Sequence, residues 1–402
     1  MKEKKQGSFI LLKKYCEEEK FKGWDPFDGL NSKILKTLLP LKLSAILRLI
    51  VIQGFKRCPL NLRKLFLVPK EYNAKGIGLF LQGYCNLYRL LEFQPSLEKE
   101  LGTKEDIQNY IHQLAELLIS LRSKGYHGSC WGYNFDWQSR RLFLFPAYCP
   151  TVVATNFCAT SLMDAYELTG KEEYLDVALD SANFILNDLH LDEYEGEKMI
   201  SYSPLHGNDL VSNASLLGSK VLAYCYKYTG NEKYLKVARS SVAACCKGQR
   251  ADGAWTYSQI PPKLWVDSFH TGYNLDGLIA YEEQTGDMTF HENIERGFDY
   301  YIKNFFNEDG SPKYYDNQQY PIDIHCPGQL LVTLHRLHKF EEYSSLAEKV
   351  LDWTIRNMQD KKGYFYYQLK KGISSKIPYM RWSNAFMFYA MSYYLLDKYN
   401  DN

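Results

Sequence analysis

The chain has 402 residues, enough for two or three domains of ordinary size or one large repeat-built unit. It is 46% hydrophobic and 24% charged, which excludes general disorder. Its 48 Lys+Arg against 47 Asp+Glu leave a net charge of +1, which excludes a whole-chain basic nucleic-acid binder.

The first residues, Met1-Lys-Glu-Lys-Lys-Gln6, carry the charge of a secretory leader but are not followed by its apolar stretch. No run approaches the ~20 apolar residues of a spanning helix. None of the ten cysteines forms a CxxC pair, so they read as reduced thiols in a cytoplasmic protein. Residues 1–74 read as a helical segment whose later part is basic. From Lys33 to Lys75 there are ten Lys/Arg and one acid, Glu71, interleaved with Ile46, Leu47, Leu49, Ile50, Val51 and Ile52. Such a stretch serves either as a helix covering the core or as a peripheral contact with an anionic membrane.

Beyond it one unit recurs: an apolar helix, a short break, a second helix and a loop ending in aromatics. The breaks fall at Thr169-Gly170, Thr229-Gly230 and Thr285-Gly286. Glycine there permits the left-handed conformation that ends a helix. The second helices open KEEYLDVA, NEKYLKVA, DMTFHENI and FEEYSSLA, with Tyr174, Tyr234, Phe290 and Tyr343 in register at spacings of 60, 56 and 53. The loops that follow second helices read GSCWGYNFDW, EKMISYS, DGAWTYS, DGSPKYYD and KGYFYYQ. First helices are expected near 75–93, 155–168, 211–228, 271–284, 327–338 and 383–396. The sixth lacks a partner after it, and the N-terminal segment supplies one. Six pairs then close into an all-α (α/α)6 toroid, a six-hairpin barrel spanning 1–402 as one domain.

Links within pairs are short, whereas those between pairs run to roughly 20–30 residues. All the long links emerge on one face, beside the positive ends of the inner helices. Three histidines, His206, His270 and His325, each precede an inner helix and have an Asp nearby: Asp209, Asp267 and Asp323. Histidine beside a carboxylate is a general base or acid near neutral pH. Asp136 with one of these acids is the alternative, the carboxylate pair of a glycoside hydrolase. Helix capping is a third use of Asp209 and Asp267. The chain has no HExxH or HxH, so no metal is expected, and no cofactor motif is present. Trp131, Trp137, Trp265 and Trp382, with Tyr273, offer rings for stacking on a sugar. Asn156, Asn213, Asn274 and Asn384 lie near inner-helix starts, as caps or as partners for sugar hydroxyls. Arg381 has the planar fork of an anion clamp. Gln249-Arg-Ala-Asp-Gly-Ala-Trp255 fits the QxxDGxW signature of terpene-cyclase toroids, but without their DxDD or DDxxD acids it reads as a structural turn.

At WGYNFDWQ and WVDSFHTGYNLDGL the sequence resembles the VpsJ-like family of bacterial polysaccharide-biosynthesis proteins over roughly residues 70–400. The resemblance implies a part in capsule or exopolysaccharide assembly. The toroid is similar to N-acylglucosamine 2-epimerases, unsaturated glucuronyl hydrolases and the toroidal parts of polysaccharide lyases. By analogy with the 2-epimerases, His270 and His325 would exchange protons with a sugar carbon as base and acid, oriented by Asp267 and Asp323. Three readings stand open: an epimerase or lyase, a glycoside hydrolase, and a non-catalytic glycan-binding or scaffold protein.

Overall fold

The computed structural model describes residues 2–38, 44–138 and 143–400. The N-terminal part contributes α1 (Lys2–Glu18), α2 (Lys33–Leu38) and α3 (Ala45–Arg57). There follow α4 (Ala74–Phe93), the short α5 (Glu98–Leu101), α6 (Lys104–Ser120), α7 (Val152–Thr169), α8 (Glu172–Leu179) and α9 (Ser181–Asn187). The remainder is α10 (Ser212–Thr229), α11 (Glu232–Lys247), α12 (Ser268–Thr285), α13 (His291–Phe305), α14 (His325–Arg336), α15 (Ser344–Met358) and α16 (Phe386–Asn400).

Six of these form a closed inner ring. Helix α4 packs on α7, α7 on α10, α10 on α12, α12 on α14, α14 on α16, and α16 back on α4. They are buried on nearly every side, as a helix apolar all round must be. The outer helices present one apolar stripe, such as Ile294, Gly297, Phe298, Tyr301 and Phe305 on α13. The expected partner of the last inner helix is α1, which lies against α15 and α16. Its Phe9 is fully buried, with its ring centroid 5.0 Å from that of Phe388.

The local signals act as expected. Gly170, Gly230 and Gly286 end α7, α10 and α12 with φ of 68°, 64° and 73°. Thr151 and Asp267 cap α7 and α12 by accepting from Ala154 and His270 N–H groups. The asparagines do not cap: Asn156, Asn213 and Asn274 lie inside their helices, and Asn384 accepts from the Phe365 N–H. The QxxDGxW turn is structural: Trp255 is buried and donates to the Cys245 carbonyl, 3.0 Å.

Three short antiparallel ribbons stiffen the long loops: β1 (Trp137–Gln138) with β2 (Leu144–Phe145), β3 (Leu191–Tyr194) with β4 (Glu197–Ile200), and β5 (Ile322–Asp323) with β6 (Gln368–Leu369). The last joins loops of neighbouring pairs and sets Asp323 opposite Gln368. The described residues between 2 and 74 form several short helical pieces. Trp24, Leu30, Val51, Ile52, Phe55 and Val68 form a second, smaller core with Tyr367, Ile377 and Tyr379 of the final loop. Two of the basic residues turn inward there: Arg63 donates to Asp28, 2.7 Å, and Arg48 to Gln138, 2.7 Å. Among the described residues no helix is long and apolar enough to cross a membrane.

Candidate active site

The N-terminal ends of the inner helices and the long loops surround a cavity of ≈ 240 Å³. The repeat itself lines it. Gly253, Gly310 and Gly363 take φ of 94°, 86° and 98°, and the tyrosine four residues after each (Tyr257, Tyr314 and Tyr367) faces the cavity. Tyr133 and Tyr202 enter from the two preceding loops. These glycines are required by contact as well as by φ. A Cβ would stand 2.3 Å from the Arg296 carbonyl oxygen, 2.6 Å from that of Lys349 and 2.2 Å from that of Leu11. Each loop therefore turns hard against the next outer helix, which aims its tyrosine inward. Burial pushes the phenols of Tyr202, Tyr314 and Tyr367 well above the usual range, so they stay neutral donors.

Two of the three histidines that the sequence set against aspartates, His270 and His325, converge here in different environments. His270 Nδ1 lies 2.7 Å from Asp267 Oδ2, and the same oxygen accepts from Trp265 Nε1 at 3.0 Å. Asp267 Oδ1 accepts the His270 N–H, so one buried carboxylate both starts α12 and orients the ring. His325 has no such partner. Its Nδ1 is 3.8 Å from Asp323 Oδ1, beyond hydrogen-bond reach, and is buried unpaired. The ring stacks on Phe386 at 4.0 Å and meets Trp382 at 4.5 Å. Burial and the neighbouring Lys75 and Arg381 hold it well below the usual histidine range, so it is neutral. That corrects the expectation that Asp323 orients the His325 ring. Asp323 instead ties the cavity walls together, accepting from Trp382 Nε1 (2.8 Å), Gln368 Nε2 (2.6 Å) and the His325 N–H (3.0 Å). Burial raises its carboxyl to about 6.

Of the other expected residues, Trp137, Trp265, Tyr273, Arg381 and Trp382 line the cavity. Trp137 stacks on Phe145 at 4.5 Å and Trp265 on Tyr257 at 4.7 Å. Arg381 is not a free anion clamp, because Asp25 takes its Nε and Nη2 at 2.6 and 2.9 Å. Five expected residues fall outside the cavity. His206 is exposed and stacks on His190 at 4.1 Å, outside the cavity. Asp209 turns back to the Gly207 N–H and Asp136 to the Ala147 N–H, so neither faces Asp323 as a second carboxylate. Trp131 is fully buried and donates to the Leu118 carbonyl, which makes it a core residue with no face for a sugar. Asn274 is buried with its Oδ1 unpaired and does not line the cavity.

Sequence reasoning missed Lys75, Phe27, Lys56 and the ring of tyrosines. The tyrosines had a signal in the aromatic loop ends that recur in every repeat. Lys75 had none beyond its place at the start of α4. Its Nζ donates to Tyr273 Oη at 3.1 Å and sits 4.3 Å above the Phe157 ring. Burial, reinforced by Arg381, holds this amine well below the usual lysine range. His325 Nδ1, Tyr367 Oη and Asn213 Oδ1 are buried in cavity-lining residues without a hydrogen-bond partner. Such atoms are costly unless a ligand or water meets them, and a polyhydroxylated molecule supplies such partners. Among the described residues no group of three or more His, Cys, Asp or Glu is placed to hold a metal.

Residues 266–401 match Glycosyl Hydrolase Family 88. No curated protein matches the chain. Among solved structures it is similar to an unsaturated glucuronyl hydrolase specific for heparin, at 13% identity and a TM-score of 0.61, over 99% of this chain and 97% of that one. It is also similar to cellobiose 2-epimerase from Bacillus thermoamylovorans B4167, at 13% identity and a TM-score of 0.59, over 81% of this chain and 89% of that one. A Bacteroides vulgatus glycosyl hydrolase of family 88 aligns at 13% identity and a TM-score of 0.56, over 89% of this chain and 99% of that one. Likeness at this level establishes the fold, the (α/α)6 toroid, with its cavity at the end where the long loops gather.

Proposed function

We propose that this protein is a carbohydrate-acting enzyme that moves a proton at a sugar carbon next to a carbonyl or carboxylate group. The observation that carries this is the 2.7 Å contact of His270 with Asp267 beside an aromatic cavity in which, among the described residues, Asp323 has no second carboxylate opposite it. With Nδ1–H given to Asp267, Nε2 is the basic nitrogen. It takes the proton, the C–H electron pair moves toward the carbonyl oxygen, and Asp267 stabilises the resulting imidazolium. Neutral His325 and the phenols offer hydrogen bonds to the enediolate oxygen, which gains charge as the C–H bond breaks. Return of the proton from the imidazolium to the neighbouring carbon gives an isomer, and delivery of a proton to the other face by His325 or a phenol, which the base's proton then replaces through solvent, gives an epimer. Transfer of a proton to a departing β-linked oxygen gives a lyase product.

The match to Glycosyl Hydrolase Family 88 favours a second reading, hydrolysis, with Asp323 as the proton donor. The motifs that resemble the VpsJ-like family support a role in bacterial surface-polysaccharide assembly. The ten free cysteines fit a reducing, cytoplasmic setting.

Incubating the protein in D₂O with a panel of reducing sugars, uronates and their oligomers tests these readings. Deuterium at a sugar carbon, lost in His270→Asn, supports proton transfer. New reducing ends without deuterium favour hydrolysis. Tight glycan binding without either, surviving in the His270→Ala/His325→Ala double variant, leaves a binding protein.

A further inference from the structure

Helix α3 is apolar on two opposite sides. Val51, Ile52 and Phe55 face the small core, while Ile46 and Ile50 are 61% and 60% exposed. Ile46, Ile50, Gly54 and Arg57 fall at steps of four, four and three, so they form one outward stripe. Leu60, Leu65 and Leu67 follow and are also exposed. Six of the fifteen large apolar side chains that are exposed among the described residues lie between 38 and 67. A helix apolar all round belongs in a protein core or in contact with lipid, and among the described residues nothing covers the outer side of α3.

Charge says what that cover is. From Gly29 to Lys70 there is no Asp or Glu, against nine Lys/Arg. Lys33, Lys36, Arg57 and Lys64 of the same stretch are exposed. A second copy meeting this face on a two-fold axis would oppose these cations to themselves. An anionic bilayer takes both features at once, with isoleucine and leucine entering the headgroup boundary and lysine reaching the lipid charge.

We propose that α2, α3 and the turn at 58–67 form a docking surface for an anionic lipid bilayer. Helix α3 also lends Lys56 to the cavity wall, so docking holds the mouth beside the membrane. The inference stands independently of the reaction at that mouth.

Sedimentation of the full chain with vesicles tests it, using phosphatidylcholine alone or with about one third phosphatidylglycerol. The chain is expected to pellet with the anionic vesicles and not with the neutral ones, and to be released by high salt. Ile46→Asp/Ile50→Asp is expected to weaken partitioning about tenfold or more. Lys33→Glu/Lys36→Glu/Lys64→Glu is expected to abolish the preference for anionic lipid. All these side chains are exposed, and unchanged melting of the variants verifies their folding. Failure of the folded wild type to pellet, or equal pelleting of wild type and both variants, overturns the proposal. So does a concentration-dependent dimer that Ile46→Asp/Ile50→Asp abolishes.

Discussion

Arg381 and Asp25, 356 positions apart in sequence, are joined by hydrogen bonds of 2.6 and 2.9 Å in the wall of the mouth. The guanidinium also lies 4.7 Å from the Tyr133 ring and 5.1 Å from that of Trp382. The pair fastens the N-terminal segment to the last loop beside the cavity. Asp25→Ala leaves a buried cation without its anion, and urea denaturation is expected to show a loss of about 3–5 kcal/mol. Asp25→Ala/Arg381→Met is expected to lose less than Asp25→Ala alone, because no charge is then stranded.

Two carboxyls make opposite contributions to the pH dependence of stability. Glu348 is held at about 2, with Lys5, Tyr394 and Lys398 as hydrogen-bond donors outweighing its burial. Its native value lies below the ordinary one, so its stabilisation is present above about pH 4.5 and is lost as pH falls toward 2. Glu348→Gln is expected to cost about 1–3 kcal/mol at pH 7, with the gap to wild type closing in acid. Asp323, raised to about 6 by burial, acts the other way. The native state keeps a proton that the unfolded chain releases, so stability falls as pH rises from the ordinary value of 3.8 to about 6. Asp28, also at about 6, adds a second slope of the same sign. Melting curves from pH 4 to 7 are expected to show about half of that slope removed by Asp323→Asn.

The inner ring is packed through glycine. A Cβ on Gly78 would stand 2.9 Å from the Phe157 carbonyl oxygen, and one on Gly277 2.9 Å from that of Leu216. Both obstacles are backbone of the next inner helix, so alanine there forces the helices apart. Each substitution is expected to cost about 1–3 kcal/mol. Gly54 in α3 has nothing within 4 Å, and Gly54→Ala is expected to gain about 0.5–1 kcal/mol. Thermal melts of the three variants measure the contrast.

Asp267 has two duties that one substitution separates. Asparagine caps a helix about as well as aspartate, so Asp267→Asn is expected to keep the start of α12 and the melting temperature within about 1 kcal/mol of wild type. It cannot stabilise an imidazolium at His270. Deuterium exchange into substrate is expected to fall by about 10²–10⁴.

Lys75 is a buried amine with one hydrogen bond, to Tyr273. Lys75→Met keeps the bulk against Phe157 and removes a polar group that is costly to bury. Stability is expected to be unchanged or higher by about 1 kcal/mol. Turnover in the same exchange assay is expected to drop at least about tenfold, as Tyr273 loses its orienting donor and the cavity its one buried amine.

The ring was legible because its signals are local and repeated. Thr-Gly stops, Tyr174-type register residues and unequal loop lengths each depend on a few neighbouring residues, and their recurrence at three or more places makes them reinforce one another. The tyrosine ring belongs to the same pattern, since Tyr257, Tyr314 and Tyr367 each stand four residues beyond a glycine with positive φ. The repeat misled where a loop had diverged: His206 occupies the expected slot but stacks on His190.

Sequence alone determined the all-α ring and the face that carries the long loops, because these follow from helix periodicity and turn chemistry. Only the tertiary structure decided that Asp323 serves Gln368 and Trp382, that Asp25 locks Arg381 and that Lys75 is a buried amine bonded to Tyr273. Those outcomes depend on which loops meet across the ring and how much water they exclude. Neither is encoded within any one repeat.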